Sequence, residues 1–189
     1  MFNKLVMETY PVDKIYRQIE PGSVLLVSTQ NKGVPNVMTM GFQMMIQHDP
    51  PLIGAIVGPW DYSYKALVKN KECVLSIPGI DIIEKVVDIG NCSGDSDNKF
   101  EKFNLTVTPA SIVQAPMIED CLFNIECKVV NTELVDRYNL FVLEAVAAWK
   151  NADKDKIKPF HHHGNGIFSV EGKTINLQDR MTKWKIFQD

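Results

Sequence analysis

The sequence predicts a mainly β protein, one domain built on a predominantly antiparallel sheet that closes into a barrel with a few inserted helices. Three observations lead there. Short apolar runs are separated by Gly, Pro, Asn and Asp turns. Within residues 121–129, Cys121, Phe123, Ile125, Cys127 and Val129 alternate with polar Asn124, Glu126 and Lys128, the period of a half-buried strand. The candidate helices do not follow every strand, which argues against a doubly wound parallel sheet, and closing an antiparallel sheet removes its exposed edges. No repeat, low-complexity tract or linker divides the 189 residues, so residues 1–189 are read as a single domain.

Each element has its own signal. Residues 23–29 form a short apolar run ending in polar residues and Asn31-Lys32-Gly33, a strand and then a turn. Residues 34–45 resume as strand until Asp49-Pro50-Pro51 breaks it, because prolines cannot donate ladder hydrogen bonds. Residues 52–57 make a buried strand closed by Gly58-Pro59. Asp61 or Ser63 is then placed to cap a helix running to about Asn70, with Ala66 and Leu67 inward. Residues 73–77 form a strand stopped by Pro78-Gly79. Asp81 next caps a helix over 82–89, where Ile82, Ile83, Val86 and Val87 share a face. Asp95 or Asp97 opens a helical turn through Lys99, Phe100 and Phe103. Residues 140–149 are apolar on nearly both faces, which predicts a central strand carrying Trp149 into the core. Residues 166–170 and 174–177 suggest a final hairpin across Glu171-Gly172-Lys173.

A net charge of −3 gives no electrostatic footprint for nucleic acid, so a phosphate ligand has to be held locally. The longest apolar stretches fall far short of the roughly 20 residues that span a bilayer. Cys73, Cys92, Cys121 and Cys127 form no C-x-x-C pair, and the charged N-terminus does not read as a secretory leader. They are read as reduced thiols of a cytoplasmic protein, three of them in the core.

Three segments carry candidate chemistry. On a strand, Asn36, Met38 and Met40 point one way and Val37, Thr39 and Gly41 the other. One face thus offers an amide and two thioethers, the other a hydroxyl and bare backbone, a surface suited to a flat polar heterocycle. A core strand with two fitting methionines is the plain alternative. Residues 90–100 form a small polar loop entering a helical turn, where backbone N–H groups and Lys99 can hold an anion. A capped loop explains the same residues, and Asp95 and Asp97 oppose an anion unless they face away. Tyr62-Ser63-Tyr64 places a hydroxyl at a helix start, either as a phosphate contact or as an ordinary cap.

Taken in order, Pro35-Asn36 through Phe42, then Asp49-Pro50-Pro51-Leu52, Tyr62-Ser63-Tyr64-Lys65-Ala66, Ser93-Gly94 and Asp97-Asn98-Lys99-Phe100 resemble the flavin reductase-like, FMN-binding split-barrel family, flavoredoxins in particular. The resemblance implies a Greek-key split barrel that forms a homodimer, with FMN near the subunit interface. It implies that Asn36, Met38, Thr39, Met40 and Phe42 line the ring and ribityl chain. Met45, Ile46 and Gln47 would add backbone or edge contacts. Ser63 and Lys99 would hold the phosphate, with Tyr64, Ser93 and Gly94 close by. The implied function is an FMN-dependent oxidoreductase or electron carrier; a flavin-binding sensor, or a barrel that has exchanged flavin for another ligand, are the alternatives.

The chain also departs from that pattern. Asp95 stands where many relatives carry Arg. The Gly-Asp-His element associated with nicotinamide handling reads Asp136-Arg137-Tyr138-Asn139 here, which shifts the expected electron donor from NADH or NADPH toward a redox protein. No catalytic side chain is assigned, because the flavin itself carries the electrons. His161-His162-His163 is read as a loop without a metal, since adjacent strand residues point in opposite directions.

Overall fold

A computed structural model describes residues 7–181. Twelve strands are present among them: β1 (Met7–Thr9), β2 (Leu25–Asn31), β3 (Val34–Met40), β4 (Gln43–Gln47), β5 (Leu52–Ile56), β6 (Glu72–Pro78), β7 (Val107–Thr108), β8 (Met117–Ile118), β9 (Cys121–Asn131), β10 (Leu140–Asn151), β11 (Phe160–His162) and β12 (Phe168–Val170). Five short helices interrupt them: α1 (Tyr16–Ile19), α2 (Ser63–Asn70), α3 (Ile83–Gly90), α4 (Lys99–Lys102) and α5 (Val135–Tyr138).

The main sheet is antiparallel, in the order β3-β2-β6-β9-β10-β5-β4, with β1 beside the far end of β10. Laid flat, its end strands would stand about 29 Å apart at roughly 4.8 Å per step. Yet β3 and β4 are consecutive, and the three residues from Met40 to Gln43 reach about 11 Å at most. The sheet therefore curls until its two ends meet, and no ladder joins β3 to β4. The result is a barrel split at that seam.

Alternation along the strands makes three packed clusters, the smallest being Val74, Val113, Ala115 and Met117 with Trp149 against them, and the other two frame the site. Leu25, Val27, Ile53, Leu75, Ile125, Phe141 and Leu143 fill the barrel, capped by Leu67 of α2. Leu26 and Val37 face outward against Val86 and Ile89 of α3 and Phe100 of α4. Full burial of such side chains contributes about 1.5–3 kcal/mol each, so the barrel and the α3–α4 layer support each other.

Several expectations are corrected. The strand expected over 34–45 is two strands, because the chain turns the corner of the barrel at Gly41-Phe42. The final hairpin pairs Phe160 with Val170 and His162 with Phe168, so 174–177 is not a strand. Gly164, Asn165 and Gly166 all have positive φ and close that turn instead. His161 and His162 accordingly lie in β11 rather than in a loop, His162 stacked on Phe168 at 4.8 Å. The expected helix caps do not form: α2, α3 and α4 start without side-chain caps, and Asp61 accepts the Gly58 N–H instead.

Strand β9 is buried on both faces over most of its length, not one. The segment ahead of it folds across its polar side. Glu126, fully buried, accepts hydrogen bonds from the N–H groups of Ser111, Ile112 and Val113, the Ser111 hydroxyl and the Trp149 indole. Asn124 likewise bonds both backbone groups of Ile118. Cys73, Cys121 and Cys127 are buried free thiols, as the sequence indicates.

Candidate functional site

The site begins with a hairpin. Lys32 and Gly33 both take positive φ, the two-residue turn whose twist matches the flanking strands. That turn sets the register, pairing Thr29 with Asn36 and Val27 with Met38. It also makes Asn31 and Val34 a hydrogen-bonded pair, so the N–H and C=O groups of Val37 and Thr39 point away from β2. β3 ends the sheet, and these groups form a free polar edge beside Met38.

Ser63 opens α2 directly behind this strand. Asn36 Nδ2 donates to Ser63 Oγ at 2.9 Å, and Thr29 Oγ1 lies 3.2 Å from the same oxygen. All three residues are buried. On the other side, Thr39 Oγ1 donates to the Val86 carbonyl at 2.6 Å and fastens α3 to β3.

The loop after α3 is held tightly against this arrangement. A Cβ added at Gly94 would stand 2.3 Å from Asn36 Oδ1 and 2.5 Å from the Tyr62 ring, so only glycine permits the approach. Lys99, the first residue of α4, is 4% exposed and donates to the Ile89 carbonyl at 3.1 Å. Burial lowers its pKa, while Cys92, Asp97 and Asp61 pull it back up. Asp97 is engaged by Lys102 at 2.9 Å, and Lys102 also reaches Cys92 Sγ at 3.3 Å. The aspartate most able to neutralise Lys99 is thereby occupied by another lysine.

A cleft of about 280 Å³ lies between these parts, lined by Asn36, Met38, Thr39, Trp60, Asp61, Tyr62, residues 89–93 and Lys99. Chemically it offers a buried ammonium, a thioether, amide groups and the free backbone edge of β3. That set can bind an anion joined to a flat polar body.

The flavin reductase like domain matches residues 17–171, most of the chain. The chain belongs to the flavin reductase-like family. A protein of Pyrococcus abyssi with no assigned function is 30% identical over 132 residues, 70% of this chain and 76% of that one. An Archaeoglobus fulgidus protein, also without assigned function, is 34% identical over 120 residues, 64% of this chain and 67% of that protein. Among solved structures, an FMN-binding domain of a flavin reductase-like enzyme from Shewanella baltica superposes with a TM-score of 0.84, at 19% identity, over 90% of this chain and 97% of that one. The flavoredoxin of Desulfovibrio vulgaris gives 0.75 at 20% identity, over 82% and 89%. These likenesses establish the fold.

Within this flavin reductase-like barrel, the residues singled out in the sequence separate into two groups. Asn36, Met38, Thr39, Ser93 and Lys99 line the cleft, Gly94 is packed beneath it and Ser63 stands behind Asn36. Met40 is buried in the barrel, and Tyr64 packs there edge-on to Phe141. Phe42 is exposed at the corner of the barrel, and Ile46 is exposed on the outer face of β4. Met45 packs into the barrel core, and Gln47 bonds the carbonyls of Asp49 and Pro50. None of these six lines the cleft. Thr29, Trp60 and Tyr62 complete the site without having been assigned to it. Thr29 was legible through the two-residue turn that sets it opposite Asn36, whereas Trp60 had no sequence signal. Among the described residues, no group of three His, Cys, Asp or Glu side chains is placed to hold a metal ion.

Proposed function

We propose that the cleft binds FMN and that the protein acts as an FMN-dependent oxidoreductase or electron-transfer protein in the cytoplasm. The observation that carries this reading is the buried Lys99 ammonium sharing one cleft with Met38 and the free edge of β3. The residues fit the cofactor's parts. Lys99 has three N–H groups and gives one to Ile89, leaving two for a phosphate. Ser63 Oγ accepts from Asn36 and Thr29 and so holds the Asn36 amide at the wall of the cleft, a supporting place behind the phosphate end. Val37 and Thr39 offer backbone donors and acceptors to the rim of a ring, and Met38 offers a polarizable face. Bound FMN supplies one- or two-electron chemistry; the chain's own work is to hold the phosphate, orient the ring and keep its underside dry.

The Asp136-Arg137-Tyr138-Asn139 stretch, on and just after α5, contains no histidine and supports a redox protein rather than a nicotinamide as electron donor. Homodimer formation is supported by the exposed apolar side chains of Phe42, at the barrel corner, and of Met44 and Ile46 on the adjoining edge strand β4. A role for Met45, Ile46 and Gln47 in flavin binding then falls to the second protomer, whose β4 would approach the cleft. The cytoplasmic assignment rests on the cysteine pattern, since Cys73, Cys92, Cys121 and Cys127 form no C-x-x-C pair and no regular disulfide framework.

The test is spectroscopic. Protein incubated with FMN and gel-filtered is expected to be yellow, and to bleach anaerobically with a reduced ferredoxin faster than with NADH or NADPH. A colourless protein would remove the flavin reading; rapid bleaching by NADH would reverse the donor assignment.

A further inference from the structure

A basic face adjoins the cleft. Helix α2 buries Ser63, Ala66 and Leu67, which leaves Lys65 and Lys69 one turn apart on its outer side. Both are exposed, as are Lys71 just past the helix end and Lys32 at the β2–β3 turn. Two relations draw these lysines together. Asn70 Nδ2 donates to the Gln30 carbonyl and ties the end of α2 to the end of β2. Lys32 and Lys65 line one hollow, which borders the cleft at Trp60 and Tyr62. Among the described residues none of the four lysines forms an ion pair. Two carboxylates close by in the chain are turned to backbone donors instead, Asp61 to the Gly58 N–H and Glu72 to the Gln114 N–H.

Folding does not account for this gathering. The helix dipole favours cations at the C-terminal end of α2 and so explains Lys69 and Lys71. Lys65 is the third residue of the helix, where the same dipole opposes a cation. The chain carries a net charge of −3, so the lysines also collect against its overall sign. Beside them Trp60 is 73% exposed, Tyr62 48% and Val68 42%. Open aromatic side chains next to unpaired charge suit a protein partner of opposite sign. We infer that this face docks an acidic protein that carries electrons one at a time. Its charge would be steered to the lysines, and Trp60 and Tyr62 would supply the contact. The inference rests on the flavin reading for where the electrons go, because a carrier seated there stands beside the cleft. Each docking passes one electron from the carrier's reduced centre to the flavin. Two dockings, with two protons from water, complete the flavin's reduction and release two oxidised carriers.

Stopped-flow bleaching of the FMN-loaded protein by a reduced, acidic [2Fe–2S] ferredoxin tests the face. The second-order rate is expected to fall about tenfold or more from low to high salt, as steering is screened. Lys65→Glu should lower the low-salt rate about fivefold, and adding Lys69→Glu should lower it further. Lys156→Glu makes the same change in net charge as Lys65→Glu, but in the loop bonded to the other end of β6 through Lys158 and Ile80. It should have little effect. Photoreduced deazaflavin, a small neutral donor that needs no docking, should bleach all four proteins equally. A rate indifferent to salt, or an equal loss from Lys156→Glu, would overturn the inference. Calorimetry of the flavin-free chain with oxidised ferredoxin at low salt gives an independent readout. Binding that Lys65→Glu with Lys69→Glu weakens supports the face, and absence of binding overturns it. Failure to take up FMN would remove the flavin reading alone, and the calorimetry would still judge the docking face.

Discussion

Lys99 shows how a single residue couples folding to binding. Its ammonium is buried, has one protein acceptor and is spared neutralisation by the Lys102–Asp97 pair. Charge-assisted hydrogen bonds are about twice as strong as neutral ones, so Lys99→Ala should weaken FMN by about tenfold or more and leave riboflavin nearly unchanged in a fluorescence titration. Equal losses for both would end the phosphate role. Because burial lowers the lysine's pKa, FMN affinity should decline on the alkaline side at a pH below the ordinary lysine range. Riboflavin affinity should stay flat there. Glu126 is the acidic counterpart. Burial pushes its carboxyl up, but hydrogen bonds from the Ser111 and Ile112 N–H groups and the Trp149 indole outweigh burial and hold it below the usual value. Its contribution is therefore full above the unfolded-state pKa and is lost as pH falls through the lowered folded value. Glu126→Gln should cost about 3 kcal/mol at neutral pH and flatten the acid limb of stability measured by urea unfolding; an unchanged limb would mean the carboxylate does not hold the 111–113 backbone.

At the scale of elements, the site depends on how loops dock rather than on the helices themselves. Gly94 lets residues 91–98 close onto Asn36 and Tyr62. Gly94→Ala should destabilise the fold by about 1–3 kcal/mol through overpacking and reduce flavin affinity. Gly172→Ala, with open space around the new Cβ, should do neither. Comparing the two melting temperatures and FMN titrations tests this; equal effects would argue against close docking. The positions of α2, α3 and α4 were legible from apolar spacing, but their starts were not. Aspartates and serines signal caps in a sequence whether or not their side chains are used elsewhere, as Asp61 is by Gly58. The last hairpin was misread for a related reason. Three consecutive positive-φ residues at 164–166 outweigh Glu171-Gly172-Lys173 as a turn, and only pairing with β11 shows which turn is made.

For the whole molecule, the split barrel leaves β3 and β4 at the two sides of one seam. The cleft runs along β3, while Phe42 at the corner and Met44 and Ile46 of β4 are presented to solvent. If that row is a dimer face, Phe42→Asp combined with Met44→Glu should convert the protein to monomer in sedimentation. Because the proposed site draws on the second protomer's β4, the same variant should also lose FMN. A variant that still sediments as a dimer would place the interface elsewhere.

The sequence by itself determined the antiparallel barrel, the family and the types of side chain at the Lys99 end of the cleft, because strand period, turn residues and local spacing are short-range properties of the chain. Tertiary structure decided the rest. Alternation cannot say which face of β9 a distant loop will cover, or that β3 and β4 meet as opposite ends of one curled sheet. Nor can it place Trp60 over Gly58 or bury Lys99 beside Ile89. Those relations join residues far apart in the chain, and only closure of the barrel brings them within contact distance.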